Sequence, residues 1–70
     1  MMPLTFAKTG EENIIRKIGG TAEVKKHLSD LGFVVGGTVT VVNTLGGNMI
    51  VNVKNSRVAI DKQMANKIMI

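Results

Sequence analysis

The sequence contains no cysteine, tryptophan or tyrosine, and it has one proline and two phenylalanines among 70 residues. Without cysteine the chain has no disulfide framework, no thiolate metal site and no thiol nucleophile, so a hydrophobic core alone must hold the fold together. Aromatic faces that stack on bases or line grooves for proline-rich peptides are almost absent. Their scarcity disfavours recognition of single-stranded nucleic acid and of proline-rich peptides.

Long hydrophobic runs are missing as well. The longest apolar stretch, residues 33–42, is interrupted by glycine and threonine and falls well short of the about 20 apolar residues that span a bilayer. The N-terminus has no basic segment followed by an apolar core, so we expect no signal peptide, no membrane insertion and a cytoplasmic location. A chain of this length predicts a single small domain, residues 1–70.

The charge is basic but dispersed. Nine Lys and Arg against five Asp and Glu give a formal net charge of +4 and a pI near 9.9. An excess of basic over acidic residues favours nucleic-acid or membrane-surface partners when the basic residues form a cluster. Here they stand singly or in pairs, so we expect no nucleic-acid partner, and a basic RNA-binding domain remains an alternative that rests on charge alone.

Groups for catalysis or metal binding are scarce. His27 is the single histidine, whereas a closed zinc site needs four donors and a catalytic base needs a nucleophile beside it. The glycine pairs lack the neighbouring residues of phosphate-binding loops, and the methionines follow an apolar pattern typical of a core. We therefore predict no enzyme activity, no cofactor and no metal site.

One segment has the pattern of a helix, Thr21–Leu31. Val24, Leu28 and Leu31 recur at the 3.6-residue period, and Thr21 is a suitable N-cap. Gly32 follows the last apolar position, where a left-handed residue commonly ends a helix.

The rest of the chain has strand character, because valine, isoleucine and threonine are abundant. Residues 1–8 predict an extended arm or strand with Leu4 and Phe6 on one side. Residues 13–18 predict a strand in which Ile14, Arg16 and Ile18 share a face, or alternatively a bulge that pairs Ile15 with Ile18.

Period-two alternation predicts the remaining strands. They are expected at residues 38–42, 49–53, 57–60 and 66–70, with turns at 43–48 and 54–56 and a helical turn from Asp61 to Met64. About five strands and one inserted helix favour a mainly β fold, a small curled barrel, because closure removes exposed sheet edges.

Several motifs together resemble the ferrous iron transport protein A (FeoA) family over nearly the whole chain. The helix end Leu28-x-x-Leu31-Gly32-Phe33 runs into a glycine turn and a Thr/Val strand, and the tail reads Val58-Ala59-Ile60-Asp61, then Ala65-x-x-Ile68-x-Ile70. The resemblance implies an SH3-like β-barrel and a cytoplasmic accessory role in ferrous iron uptake, with transition metal ion binding associated only at the level of the family. The implied partner is the membrane ferrous iron transporter (FeoB), most specifically its cytosolic GTPase region.

The barrel is also similar to the C-terminal domain of metal-dependent transcriptional repressors, which makes a regulatory domain the alternative function. Partner contacts are expected around the helix and the loop after it, at Lys25, Lys26, Leu28, Leu31, Gly32 and Phe33. Leu28 and Leu31 fit the core better than a contact surface, whereas Phe33 is expected at the surface as an interface anchor. The sequence leaves the oligomeric state open.

Overall fold

Six short strands, one ten-residue helix and two single helical turns make up the computed structural model, which describes all residues from Met1 to Ile70. A 3₁₀ turn at Leu4–Phe6 comes first. It is followed by β1 (Glu12–Ile14), β2 (Lys17–Ile18), α1 (Ala22–Leu31), β3 (Thr38–Leu45), β4 (Asn48–Val53), β5 (Ser56–Asp61), α2 (Lys62–Ala65) and β6 (Ile68–Met69).

The strands form two antiparallel sheets. One has the order β1-β3-β4-β5, and the other pairs β2 with β6. The predicted mainly β architecture with one main helix is confirmed, with six strands in place of about five. The strands are hydrogen-bonded as two separate sheets and do not form one continuous closed barrel.

The predicted ends of α1, at Thr21 and Gly32, and the predicted start of α2 at Asp61 are confirmed. The Thr21 hydroxyl accepts a hydrogen bond from the Val24 N–H at 3.3 Å, and Gly32 ends α1 with a φ of 110°. At α2, the Asp61 carboxylate accepts a hydrogen bond from the Met64 N–H at 2.7 Å. A side-chain acceptor at the N-cap satisfies an amide that the first helical turn leaves without a partner.

The turn predicted at residues 43–48 is shorter than expected. Strand β3 continues to Leu45, because Asn43 and Thr44 pair with Ile50 and Met49 of β4 after a bulge that follows Val41. Gly46 and Gly47 alone form the turn. Asn43 and Thr44 are polar and lie shortly before two glycines, which is a pattern typical of a loop. Here the backbone hydrogen bonds between β3 and β4 keep both residues in the strand.

The N-terminal arm also differs from the prediction. Residues 4–6 form a 3₁₀ turn, so Leu4 is buried while Phe6 is 69% exposed, and the two do not share a side. Extended pairing is confined to the residues before it. There Met2 and Ile70 exchange backbone hydrogen bonds of 3.1 and 2.8 Å.

The segment 13–18 divides between two strands that join different sheets. β1 pairs with β3, whereas β2 pairs with β6. Ile15 lies between them fully buried, Ile14 is 51% exposed, and Ile18 packs against the core. Ile15 and Ile18 thus both face the core, as the bulged alternative expected, but the cause is not a bulge within one strand. Ile15 and Arg16 separate two strands of different sheets, and this break changes which isoleucines face inward.

A single hydrophobic core lies between the sheets and α1. Alternate residues of β4 point into it as the period-two pattern predicts, and Val58 packs against its edge. The thirteen buried apolar residues are Leu4, Ile15, Leu28, Phe33, Val39, Val41, Met49, Val51, Val53, Ile60, Ala65, Ile68 and Ile70.

Candidate functional site

Helix α1 divides the predicted contact residues between the core and the surface. Lys25 and Lys26 are exposed, as is His27 beside them. Leu28 is fully buried, and Leu31 packs half-buried against the core. The lysines are thus available to a partner, while the two leucines chiefly hold the helix in place.

Phe33 is not the surface anchor that the sequence suggested. Its side chain has no exposed area and is the largest of the fully buried side chains. Gly32 is buried as well, and its left-handed conformation turns the chain so that the Phe33 N–H donates to the Leu28 carbonyl at 2.9 Å. That reversal directs the ring inward, so Phe33 supports the surface above it without offering contact area itself.

A shallow groove lies above Phe33, between α1, β2 and the loop that follows the helix. The residues around it carry three cations, one hydroxyl and an apolar set, of which Phe33 lies beneath the surface. They are Arg16, Lys17, Lys25, Ser29, Ile18, Phe33, Val34 and Val35. No carboxylate belongs to this set. The groove therefore combines a positive rim with an apolar floor, on which Val35 is 64% exposed.

Backbone hydrogen bonds fix both walls of this groove. The Arg16 N–H donates to the Met69 carbonyl at 2.7 Å, which holds the β2 wall on β6. The opposite loop is held because the Gly36 N–H donates to the Ile15 carbonyl at 2.8 Å, and the Ile15 N–H donates to the Gly37 carbonyl at the same distance. The groove is thus largely preformed, which lowers the entropic cost of binding.

The sequence indicated only part of this site. It predicts Lys25 as an exposed cation, because Lys25 lies outside the apolar stripe of the helix. It does not indicate Arg16 and Lys17, because their approach to α1 depends on the pairing of β2 with β6. It does not indicate Val35 either, because the loop that carries Val35 is held by hydrogen bonds to Ile15, which is remote in sequence. The one local signal was an arginine next to isoleucines in a segment that does not alternate regularly.

A second depression, on the outer face of the larger sheet, is entirely polar. It is lined by Glu12, Thr38, Thr40, Asn52, Lys54 and Asn55. Glu12 is its single acidic side chain, and no group of three or more His, Cys, Asp or Glu side chains occurs in the structure. Neither depression assembles the donor set of a transition-metal site.

This distribution of donors gives a direct prediction for metal binding. Isothermal titration of the purified chain with ferrous ion under anaerobic conditions, and with manganous and zinc ions, should show no stoichiometric site of micromolar affinity. His27→Ala serves as the matched control, since a weak signal from the single imidazole would disappear in that variant. A one-to-one isotherm at micromolar affinity in the native chain would contradict the prediction, and His27→Ala would then show whether the imidazole is a ligand.

Comparisons with known proteins agree over the full length of the chain. The family model described as "FeoA domain" matches residues 2–70. The chain is 37% identical to "Putative Fe(2+) transport protein A" of Methanocaldococcus jannaschii, an alignment that covers 100% of the chain and 85% of that protein. No helix in the structure is both long enough and apolar enough to cross a lipid bilayer.

Solved structures show the same fold. A crystal structure of an iron uptake regulatory protein (FeoA) superposes with a TM-score of 0.87 at 28% identity, covering 96% of the chain and 89% of that structure. A manganese-dependent transcriptional repressor superposes with a TM-score of 0.85 at 14% identity, covering 94% of the chain and 38% of the repressor. The SH3-like fold agrees with these neighbours.

Proposed function

The chain belongs to the FeoA domain family, and from this membership we propose that it is a cytoplasmic accessory protein of ferrous iron uptake that binds the membrane ferrous iron transporter FeoB. The observation that carries the proposal is the family match over residues 2–70, joined to 37% identity over the whole chain with the archaeal protein described as "Putative Fe(2+) transport protein A". The role proposed is binding, without catalysis by this chain.

The contact surface proposed is the groove beside α1 together with the exposed lysines of the helix. Its cations favour an acidic face, for which we propose the cytosolic GTPase region of the transporter. Charges at the rim of an interface accelerate association and make it sensitive to salt. The apolar floor at Ile18 and Val35 would be buried in the complex and would slow dissociation.

Charge reversal on the helix tests this surface. Lys25→Glu combined with Lys26→Glu should slow association with the transporter's GTPase region about tenfold or more at low salt, because electrostatic steering is lost. The fold should persist, since both side chains are exposed and surface substitutions typically change stability by less than about 0.5 kcal/mol. Surface plasmon resonance at two ionic strengths measures the association rate and its salt dependence.

Two further variants distinguish the contribution of the groove to binding from the effect of net charge. Lys8→Glu with Lys62→Glu changes the charge equally at exposed positions outside the groove and should retain most of the association rate. Val35→Asp should instead raise the dissociation rate, because it places a carboxylate on the apolar floor. If the helix double variant associates no more slowly than the Lys8/Lys62 control, α1 is not the docking face.

The two alternative functions have narrower support. Likeness to the manganese-dependent repressor at 14% identity is a likeness of fold, and RNA binding rests on a net charge of +4. Passing a DNA-binding repressor fragment or RNA over the same immobilised chain distinguishes them from the transporter. Binding of either one, with none to the transporter domain, would replace the proposal.

A further inference from the structure

Strand β5 is an open edge of the larger sheet, because it pairs with β4 alone. The β4–β5 hairpin closes through Lys54 and Asn55, whose φ values of 48° and 63° are those of a type I′ turn. Val53 and Ser56 are therefore the first hydrogen-bonded pair, and alternate residues of β5 bond to β4. The backbone N–H and C=O groups of Arg57 and Ala59 consequently point outward from the sheet.

These outward groups have no other partner within the chain. None of the backbone hydrogen bonds that the protein makes outside its helices and strands involves Arg57 or Ala59. The side chains of Arg57, Ala59 and Asp61 are exposed on the outer sheet face. An unpaired edge of this kind accepts a further strand unless its side chains oppose the pairing.

The side chains of β5 are complementary to themselves about Ala59. From Arg57 to Asp61 the strand reads cation, apolar, alanine, apolar, anion. We propose that β5 is a self-association surface, on which a second copy of this chain docks its own β5 in antiparallel orientation with the two Ala59 residues facing each other. The two four-stranded sheets then become one continuous sheet around a two-fold axis.

This register places compatible side chains opposite one another. Arg57 faces Asp61 of the second copy on the outer side, within the 4.5–5.5 Å of Cβ separation that is typical of direct cross-strand neighbours. On the inner side, half-buried Val58 faces Ile60 of the second copy. The two-fold axis repeats both contacts, as an isologous interface requires.

Charges on edge strands commonly prevent such pairing, so their arrangement decides the outcome. Two like charges placed symmetrically about Ala59 would repel a second copy, whereas the opposite charges here attract it. Asp61 can take part because its Oδ1 accepts the α2 cap bond at 2.7 Å while the carboxylate retains a second oxygen. The same symmetry favours a copy of this chain over an unrelated strand.

Sedimentation velocity of the full chain over a concentration series tests the proposal. We expect a monomer–dimer equilibrium between about 20 μM and 2 mM, since a single strand pair makes an interface at the weak end of the range. Arg57→Asp should weaken dimerisation by about tenfold or more, because each attractive pair becomes a repulsive one. Lys8→Asp changes the net charge equally at an exposed position outside β5 and should leave the dimer unchanged.

Backbone involvement is tested separately. Ala59→Pro removes an N–H that the β4 ladder does not use, so it should abolish the dimer while circular dichroism retains the native spectrum. Amide exchange at Ala59 should slow as the native chain is concentrated, and should not slow in Arg57→Asp. A chain that remains monomeric up to about 2 mM, or a dimer as strong in Arg57→Asp as in the native chain, would overturn the proposal.

Discussion

Phe33→Ala should destabilise the chain by about 3–5 kcal/mol, the range observed when a fully buried phenylalanine is truncated. The ring has no exposed area, so the substitution removes its apolar burial and leaves a cavity in the only core of the domain. A domain of 70 residues has a free energy of unfolding of roughly 3.5–10 kcal/mol. The loss is therefore comparable to the total stability.

Thermal denaturation followed by circular dichroism measures this effect. The midpoint should fall by at least about 12 °C. Phe6→Ala is the matched control, because Phe6 is 69% exposed and its truncation should change the midpoint little. Equal stability of the two variants would show that Phe33 does not occupy the core. Phe33 would then be a surface residue available to a partner, as the sequence predicts.

Gly32→Val should have the next largest effect, a loss of about 1–2 kcal/mol or more. The cause is the backbone, since a φ of 110° disfavours any L side chain and a β-branched one above all. Space is not limiting, because an added Cβ would lie 3.5 Å from the nearest atom, in the Lys54 side chain. Chemical denaturation with urea measures the change.

Two variants identify the origin of this loss. Gly32→Asn should recover part of the stability, because asparagine tolerates left-handed conformations better than valine does. Gly47→Val introduces the same side chain where an added Cβ contacts nothing and φ is not in the left-handed region, so it should be nearly neutral. A Gly32→Val protein as stable as Gly47→Val would exclude conformational strain at the end of α1.

The features that were predicted correctly are those in which neighbouring residues determine the structure. Thr21 and Asp61 cap helices because each side chain reaches an amide three residues ahead. The inward positions of β4 follow from strict alternation, since Met49, Val51 and Val53 share one face of the strand. In each case the interacting groups lie within a few residues of one another along the chain.

The features that were missed depend on partners remote in sequence. Phe33 follows a helix end, and its burial results from the reversal at Gly32 together with a core assembled from both sheets. The β2 wall of the groove exists because Lys17 and Ile18 pair with residues near the C-terminus. Neither a period nor a cap encodes such long-range pairing, so one sequence read locally cannot place these residues.

The pairing of β2 with β6 has a consequence for the dynamics of the molecule. Ile18 pairs with Ile68, 50 positions further along, in a ladder of two residue pairs, whereas β3, β4 and β5 are joined by turns of two residues. Long-range ladders close late during folding and short ones open at low free energy. Partial unfolding should therefore separate β2 from β6 before the other strands come apart. Because β2 forms one wall of the groove, a partner bound in the groove should slow hydrogen exchange at the backbone amides of β6.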